Sequence, residues 1–478
     1  MASPAPILRG PAAAKWFVKF FRDPVATLIE GRQRFGRVFG LGGVFPRRKR
    51  HRLFGVALGP AYNRIVYNDT AIFRATGQAL CGPKDSALRR IRFGLTRMNG
   101  DKHKQHRRLI APLFSNHAVD EYHPHMAAIA ARHIMAWPVG QVVDAWQLVR
   151  KLALDVSSQL LFGREEPERA NVLGNLFRGW LERNFSPGVW LMPVNMPGTP
   201  YRGLLKHSEH IERTVLAMIA QRRTNPPRDA DMLTGLIRAH DSENDGGTDH
   251  DLVGQANILF AASFETIGTS LAWMMFLLAQ HPTVAANLLD ELQPLRGLAP
   301  RADQLPRLKY LDAVIREALR VLPPVPFAIR RPAAQVDLDG LVLEKGDRLI
   351  VSHYITHHDP EIYDEPERFI PERWFRIRPT AFEYLPFSAG PRMCSGFGFA
   401  MAELKIVLAL ALQRWRPTVM PGSQIDRTVK ITMGPRHGLP MVFMPQDGLF
   451  TSTEVRGNIH DMVDLRPRIL PMTVRRAA

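Results

Sequence analysis

From Ile258 to Gln280 the chain is almost continuously apolar, and the run is long enough to cross a bilayer as one helix. Near its start stands Glu265, with Thr266, Thr269 and Ser270 close behind. An ionisable group at that depth is expensive in lipid. A long helix buried through the middle of a large domain gives the same pattern without that cost. The rest of the chain must then wrap such a helix on all sides, and the acid becomes a candidate functional group.

Bulk composition supports the buried helix. Of 478 residues, 45% are apolar and 23% charged, ordinary proportions for a soluble chain with a sizeable core. The two cysteines, Cys81 and Cys394, exclude a disulfide framework and fit a reducing compartment, so a cytoplasmic location is expected. Cys81 reads as a core residue. The net charge is +18, but the basic residues are spread along the whole chain, so no nucleic-acid partner is expected. The densest run, Arg47 to Arg52, reads as a solvated loop. Near the N-terminus Trp16, Phe17, Phe20 and Phe21 alternate with Lys15, Lys19 and Arg22, which leaves no continuous apolar core for a signal peptide. The expectation there is an amphipathic helix packed on its own domain, with no transmembrane anchor.

Along the chain, a helix is predicted over Pro24 to Gly36. Leu53 to Leu58, Gly59-Pro60 and Asn63 to Tyr67 read as a hairpin of short strands. From Gly100 to Lys309 the pattern is helical, broken at Pro138, Pro193 to Pro200, Pro226-Pro227 and Pro282. Val336 to Val351 reads as short strands with turns at Asp339-Gly340 and Lys345-Gly346. A loop-rich section leads to Cys394, a helix follows from Phe397 to Trp415, and short strands lie between Thr428 and Met444. The chain is thus mainly α with small β-sheets. Residues 1–447 are expected to form one catalytic domain, and 448–478 an appended tail.

Cys394 sits in Phe387-Ser388-Ala389-Gly390-Pro391-Arg392-Met393-Cys394-Ser395-Gly396, just before the Phe397 helix. A thiolate that ligates a metal needs a depressed pKa, which the metal, nearby backbone N–H groups and a helix start can supply. Gly390 and Gly396 allow close backbone approach to a flat cofactor, and Arg392 can reach a carboxylate on it. A lone cysteine in a glycine-rich turn is ordinarily structural. This segment, however, resembles the signature loop of the cytochrome P450 family, Phe-x-x-Gly-x-Arg-x-Cys-x-Gly, at every fixed position. Five fixed positions at ~1 in 20 each arise by chance in a chain this long with probability on the order of 10⁻⁴.

Other segments resemble the same family in the expected order. Glu317-Ala318-Leu319-Arg320 is similar to its Glu-x-x-Arg helix, where the i, i+3 spacing puts both side chains on one face. Phe369-Ile370-Pro371-Glu372-Arg373-Trp374 is similar to the segment that gives Glu317 a second arginine, so Glu317, Arg320 and Arg373 are implied to be structural. Ala262-Ser263-Phe264-Glu265-Thr266 resembles the oxygen-activation motif, with Ser263 where the family usually has glycine. Helical arithmetic places Thr266, Ala262 and Ile258 on one face with Ala261 adjoining, where small residues leave room for dioxygen and substrate. Thr266 and Glu265 are implied to relay protons. His103-Lys104-Gln105-His106-Arg107 resembles the helix that contacts the haem propionates, with His103 and Arg107 aimed one way and His106 and Arg108 elsewhere. Arg330, after Pro323-Pro324-Val325-Pro326, matches a further propionate-binding arginine, with Arg331 as the alternative. Val325 is implied to line the substrate pocket.

The resemblance spans about Pro24 to Met444. It implies a triangular, mainly helical fold with haem b between the long helix and the cysteine loop, Cys394 being the iron ligand. It also implies a monomeric monooxygenase that hydroxylates or epoxidises an apolar lipid, terpenoid, steroid or aromatic substrate with dioxygen. Two alternatives remain: a peroxide-using or rearranging enzyme of the same fold, and a non-catalytic haem sensor. Gly40-Leu41-Gly42-Gly43 lacks the third spaced glycine and following helix of a dinucleotide loop. Electrons are therefore expected from a separate ferredoxin or flavodoxin and its NAD(P)H-dependent reductase. Substrate choice is expected to lie in Ala87 to Met98, Phe177 to Pro200 and Val325 to Ile329.

Overall fold

The computed structural model describes residues 4–42, 53–77, 79–242 and 247–466. The basic run at 47–52 lies outside the described residues. The N-terminal helices are α1 (Gly10–Arg22), α2 (Pro24–Phe35), α3 (Pro60–Asn68) and α4 (Ala87–Ile91). The helical body follows with α5 (Gly100–Ile110), α6 (Asn116–Met135), α7 (Ala145–Phe162), α8 (Pro167–Asn184), α9 (Pro187–Leu191), α10 (Pro200–Thr224) and α11 (Met232–Ser242). The central helix α12 (Asp249–Gln280) leads to α13 (Pro282–Leu292), α14 (Lys309–Val321), the short α15 (His353–His357) and α16 (Phe397–Arg414). Proline at a first-turn position opens several of these helices, where its missing N–H costs nothing.

At 1.5 Å per residue, α12 is about 48 Å long. A reciprocal Thr248–Asp251 cap fixes its start. Every residue from Ile267 to Gln280 is buried, and α7 packs along its length. Its apolar length thus serves the interior of the protein. Helix α1 also packs inward: Trp16 is buried between the rings of Phe35 and Phe39, at 5.3 and 6.1 Å.

The β part flanks this body. A six-stranded sheet runs in the order Ile7–Leu8, Val38–Leu41, Phe54–Ala57, Arg348–Ser352, Phe327–Pro332, Phe73–Ala75. In it Phe54 is opposite Arg348 and Arg330 opposite Leu349. A smaller sheet joins Trp415–Val419, Pro440–Pro445 and Val142–Asp144.

Three expectations need correction. Asn63 to Tyr67 belongs to α3 and not to a strand. Tyr62, Val66 and Tyr67 are buried at helical spacing, and Pro60, directly after Gly59 with φ 110°, starts a helix. Residues 467–478 lie outside the described residues, but the segment 448–466 is not simply appended: Val455, Ile459, Met462 and Val463 join the main core. Backbone bonds pin it, Ile425 N–H to Arg456 O at 2.7 Å and Asp464 N–H to Glu367 O at 2.8 Å. Cys81 is exposed.

One core group opposes the fold at neutral pH. Glu403 on α16 is buried, and neither carboxylate oxygen has a hydrogen-bond partner. Burial therefore raises its pKa well above the ordinary 4.5. The unfolded chain releases this proton above about pH 4.5 while the folded chain keeps it, so the penalty grows by about 1.4 kcal/mol per pH unit until the folded value is reached. Glu403→Gln is expected to stabilise the protein near pH 7 and to be nearly neutral near pH 4. Urea midpoints at both pH values check this, and a pH-independent difference would contradict it.

Candidate haem-thiolate site

Along α12 burial is interrupted in one place. Between Leu252 and Gln280 only Ile258, Leu259, Ala261, Ala262, Ser263 and Thr266 keep accessible surface. Ile258, Ala262 and Thr266 stack at intervals of four, so this is one face of the helix. It is the one uncovered face of an otherwise packed rod between Leu252 and Gln280. The helix stays regular through Ser263, whose hydroxyl donates to Phe260 O at 3.0 Å, while Thr266 Oγ1 donates to Ala262 O at 2.6 Å.

Glu265, one residue earlier and about 100° around the helix, points elsewhere. It is buried against α7, where Arg150 Nη2 holds its Oε2 at 2.9 Å. Gly268 makes this pairing possible, because a Cβ there would come within 3.0 Å of Arg150 Cγ and 3.1 Å of its Cα. Thr266 and Glu265 are thus neighbours in sequence with side chains on different faces.

The cysteine loop is closed by Cys394 N–H donating to Phe387 O at 2.8 Å, and the Phe387 ring meets Phe397 edge-on at 4.9 Å. Gly390 has φ 63°, and a Cβ there would lie 2.6 Å from Tyr67 O, so α3 packing demands glycine. At Gly396 a Cβ would meet nothing nearer than Phe114 at 3.5 Å; the protein itself leaves that space open beside Cys394 Sγ. The Cys394 side chain is accessible, yet protein crowds round it. Burial raises its thiol pKa above the usual value, against the pull of the Gly396 N–H and Arg107.

Cationic groups gather around this loop. Arg107 Nη1 donates to Met393 O at 2.8 Å, and Arg392 Nη2 donates to Asn99 Oδ1 at 2.8 Å and to Met98 O. Burial, then Arg330 and Arg107, lower the Arg392 pKa to about 10. Burial, then Arg392 and Arg107, lower that of His103 to about 4, so its imidazole is neutral at pH 7. Arg330, the one of the two candidate arginines that faces Arg392, lies over the Tyr67 ring at 5.1 Å. Tyr67 in turn bonds His353, whose Nδ1 contacts Val325 O at 2.8 Å. No carboxylate of the described residues perturbs Arg392 or His103. Like charges crowded in this way call for a ligand with acidic groups of its own. Haem, with two carboxylates and an iron that takes a thiolate, fits this donor set. His106 faces α12, contacting Gln255 Nε2 at 3.1 Å, and Arg108 is exposed.

Behind the loop, Glu317 and Arg320 are fully buried and Arg373 nearly so. Trp374 Nε1 also donates to Glu317 Oε2 at 2.9 Å. Sequence reasoning quoted this tryptophan without giving it a role, although its place directly after Arg373 was a usable signal. Arg150, Asn99, Tyr67 and His353 carried no local signal.

A surface cleft of about 900 Å³ between Gln280, Glu365–Arg368 and residues 452–466 is separate from these groups. Of its charges, Arg368 pairs with Glu365 and Arg466 with Asp464.

A model of the cytochrome P450 family matches residues 47–439. Cyclooctat-9-en-7-ol 5-monooxygenase of Streptomyces melanosporofaciens is 31% identical over 377 residues, covering 76% of this chain and 81% of its own. Pentalenene oxygenase of Streptomyces avermitilis is 30% identical over 336 residues, covering 68% and 73%. The structure of retinoic acid-bound cyanobacterial CYP120A1 superimposes with a TM-score of 0.79 at 24% identity, covering 93% of this chain and all of that one, which supports the fold. The cysteine loop, the open face of α12 and these matches agree, and the chain belongs to the cytochrome P450 family as a haem-thiolate monooxygenase.

Proposed function

We propose that this chain inserts one oxygen atom of dioxygen into an apolar organic substrate, using haem b held by Cys394, His103, Arg107, Arg330 and Arg392. Per turnover, one C–H bond, O2, two electrons and two protons give one C–OH bond and water. The observation that carries the reading is the open face of α12, where Thr266 and Ala262 interrupt a buried helix. When bound, the haem supplies oxygen activation, and thiolate donation favours O–O cleavage. The chain's own residues do the rest. Ile258, Ala261, Ala262 and Val325 shape the space for substrate, and Thr266 positions a hydroxyl beside it. Glu265, when its carboxylate turns from Arg150, takes up a proton from solvent and passes it toward the Thr266 side. Glu317, Arg320 and Arg373 brace the loop, and the catalytic unit includes the packed segment up to 466.

The substrate class favoured is terpenoid, because relatives whose names carry cyclooctat-9-en-7-ol and pentalenene act on such compounds. Electrons come from a separate ferredoxin or flavodoxin with its reductase, in the cytoplasm, to a monomer. The basic balance of the chain, with Lys104 and Arg108 exposed on the helix that carries Arg107, suits an acidic carrier. The test is turnover with terpenoids that shift the haem spin state. Product is expected with reduced carrier plus dioxygen, and the electron-transfer rate should fall several-fold as ionic strength rises from about 0.01 to 0.15 M. Product with peroxide alone, and none with carrier and dioxygen, would replace this reading by the peroxide-using one.

A further inference from the structure

We propose that Arg92 and Asn184 form a receptor for a carboxylate at one end of an otherwise apolar substrate, where α4, α8 and α10 meet. Arg92 closes α4 and is only 9% exposed. It lies against the Cys81 thiol, and no carboxylate of the described residues perturbs it. Its Nε has no acceptor. Asn184, at the end of α8, is fully buried; its Oδ1 accepts from Leu80 N–H at 2.9 Å, and its Nδ2 has no acceptor. Tyr201 of α10, also buried, stands beside the same thiol.

The chemistry of the ligand follows from what is left over. The Arg92 Nε–H, on a guanidinium that meets the Cys81 thiol through another of its N–H groups, and the Asn184 amide N–H₂, held at neighbouring Leu80, are both buried without acceptors, and a buried donor without a partner is costly. Two donors beside one fixed positive charge match the two oxygens of a carboxylate. The rim indicates what the carboxylate is attached to. Trp190 Nε1 donates to Asn184 O at 2.8 Å, and Trp190, Leu191, Met192, Val194 and Met196 are all exposed. Such a run of apolar surface suits an apolar molecule passing over it.

The receptor also joins the open face of α12. Asn257 Nδ2 holds Ile91 O at 3.1 Å, and Phe93-Gly94 is pressed onto Gly254 and Ile258 so closely that a Cβ on Gly94 would lie 2.6 Å from Ile258 Cγ2. A carboxylate fixed at Arg92 therefore places its apolar body next to the Ile258 end of that face.

This inference rests on the haem-thiolate reading, which the reduced carbon-monoxide spectrum of each variant tests separately. The experiment is a spin-state titration of the holoenzyme with matched acid and alcohol pairs, namely linear C12 to C16 chains, diterpenoids and steroids. At least one acid is expected to bind about tenfold or more tightly than its alcohol. Arg92→Gln should abolish that preference and leave the carbon-monoxide spectrum intact, while Arg92→Lys, which keeps the charge, should retain part of it. Absence of any acid-selective binding across the panel, or a preference that survives Arg92→Gln, overturns the proposal.

Discussion

Cys394→Ala is expected to erase the red-shifted Soret band of the reduced, carbon-monoxide-bound protein and to abolish product formation. The side chain contributes no packing that alanine would lose: it is accessible, and the loop is closed by its backbone N–H on Phe387 O at 2.8 Å. Neighbouring Gly390 and Gly396 are untouched, so the loop conformation should persist. What disappears is the thiolate that would ligate iron at this place. Substitutions in the outer shell of metal sites cost about 10- to 100-fold, and loss of the axial ligand itself should exceed that, by more than about 10³-fold in turnover. Haem content should fall less than activity, because Arg107, Arg330 and Arg392 remain to hold acidic groups. The diagnostic measurement is the carbon-monoxide difference spectrum, taken beside far-ultraviolet circular dichroism. A folded Cys394→Ala protein that keeps the thiolate-type band would sink the assignment of this ligand.

Much of this architecture was legible from local signals. The central helix announced itself because a long apolar run with one acid has few physical solutions, and the cysteine loop because its fixed positions are rare together. Asn63 to Tyr67 was misread because the β-branched and aromatic run Ile65-Val66-Tyr67 after Gly59-Pro60 favours a strand, whereas Pro60 and burial of Tyr62, Val66 and Tyr67 make it a helix. The packing of residues 449–466 was hidden because its few apolar residues find partners only in the folded body. Glu265 was identified as functional from position alone, but the direction of its side chain depends on Arg150, 115 residues away in sequence. Gly268 settles that direction by admitting α7 so closely. Contacts of this kind leave no trace in periodicity or spacing, and so the residues were legible while their geometry was not.

Glu317→Ala is expected to cost about 3–5 kcal/mol of stability and most of the bound haem. Glu317 is fully buried and accepts from Arg320 Nε and Nη2 at 3.0 and 2.8 Å and from Arg373 Nε, Trp374 Nε1 and Ile370 N–H, each at 2.9 Å. Burial alone would raise its pKa, but the two arginines and the Ile370 N–H outweigh it and hold the carboxyl below 4.5. Without it, two guanidinium charges remain buried and uncompensated. Against a typical total of about 5–15 kcal/mol, that is a large share. The damage reaches the haem loop by a traceable route. Arg320 Nη1 holds His357 O at 2.8 Å, and His357 Nε2 accepts from Leu385 N–H at 2.8 Å, two residues before Phe387. Burial drives the His357 pKa well below 6.5 and keeps the ring neutral, as an accepting Nε2 requires. The pH dependence is opposite in sign to that of Glu403. A lowered carboxyl pKa adds stability above about pH 4.5 that is lost as pH falls, so the gap between wild type and Glu317→Gln should be full near pH 7 and narrow in acid. Urea unfolding across that range, with haem content read at each pH, checks both halves. A Glu317→Ala protein within about 1 kcal/mol of wild type and with its haem retained would show that the network does not support the loop.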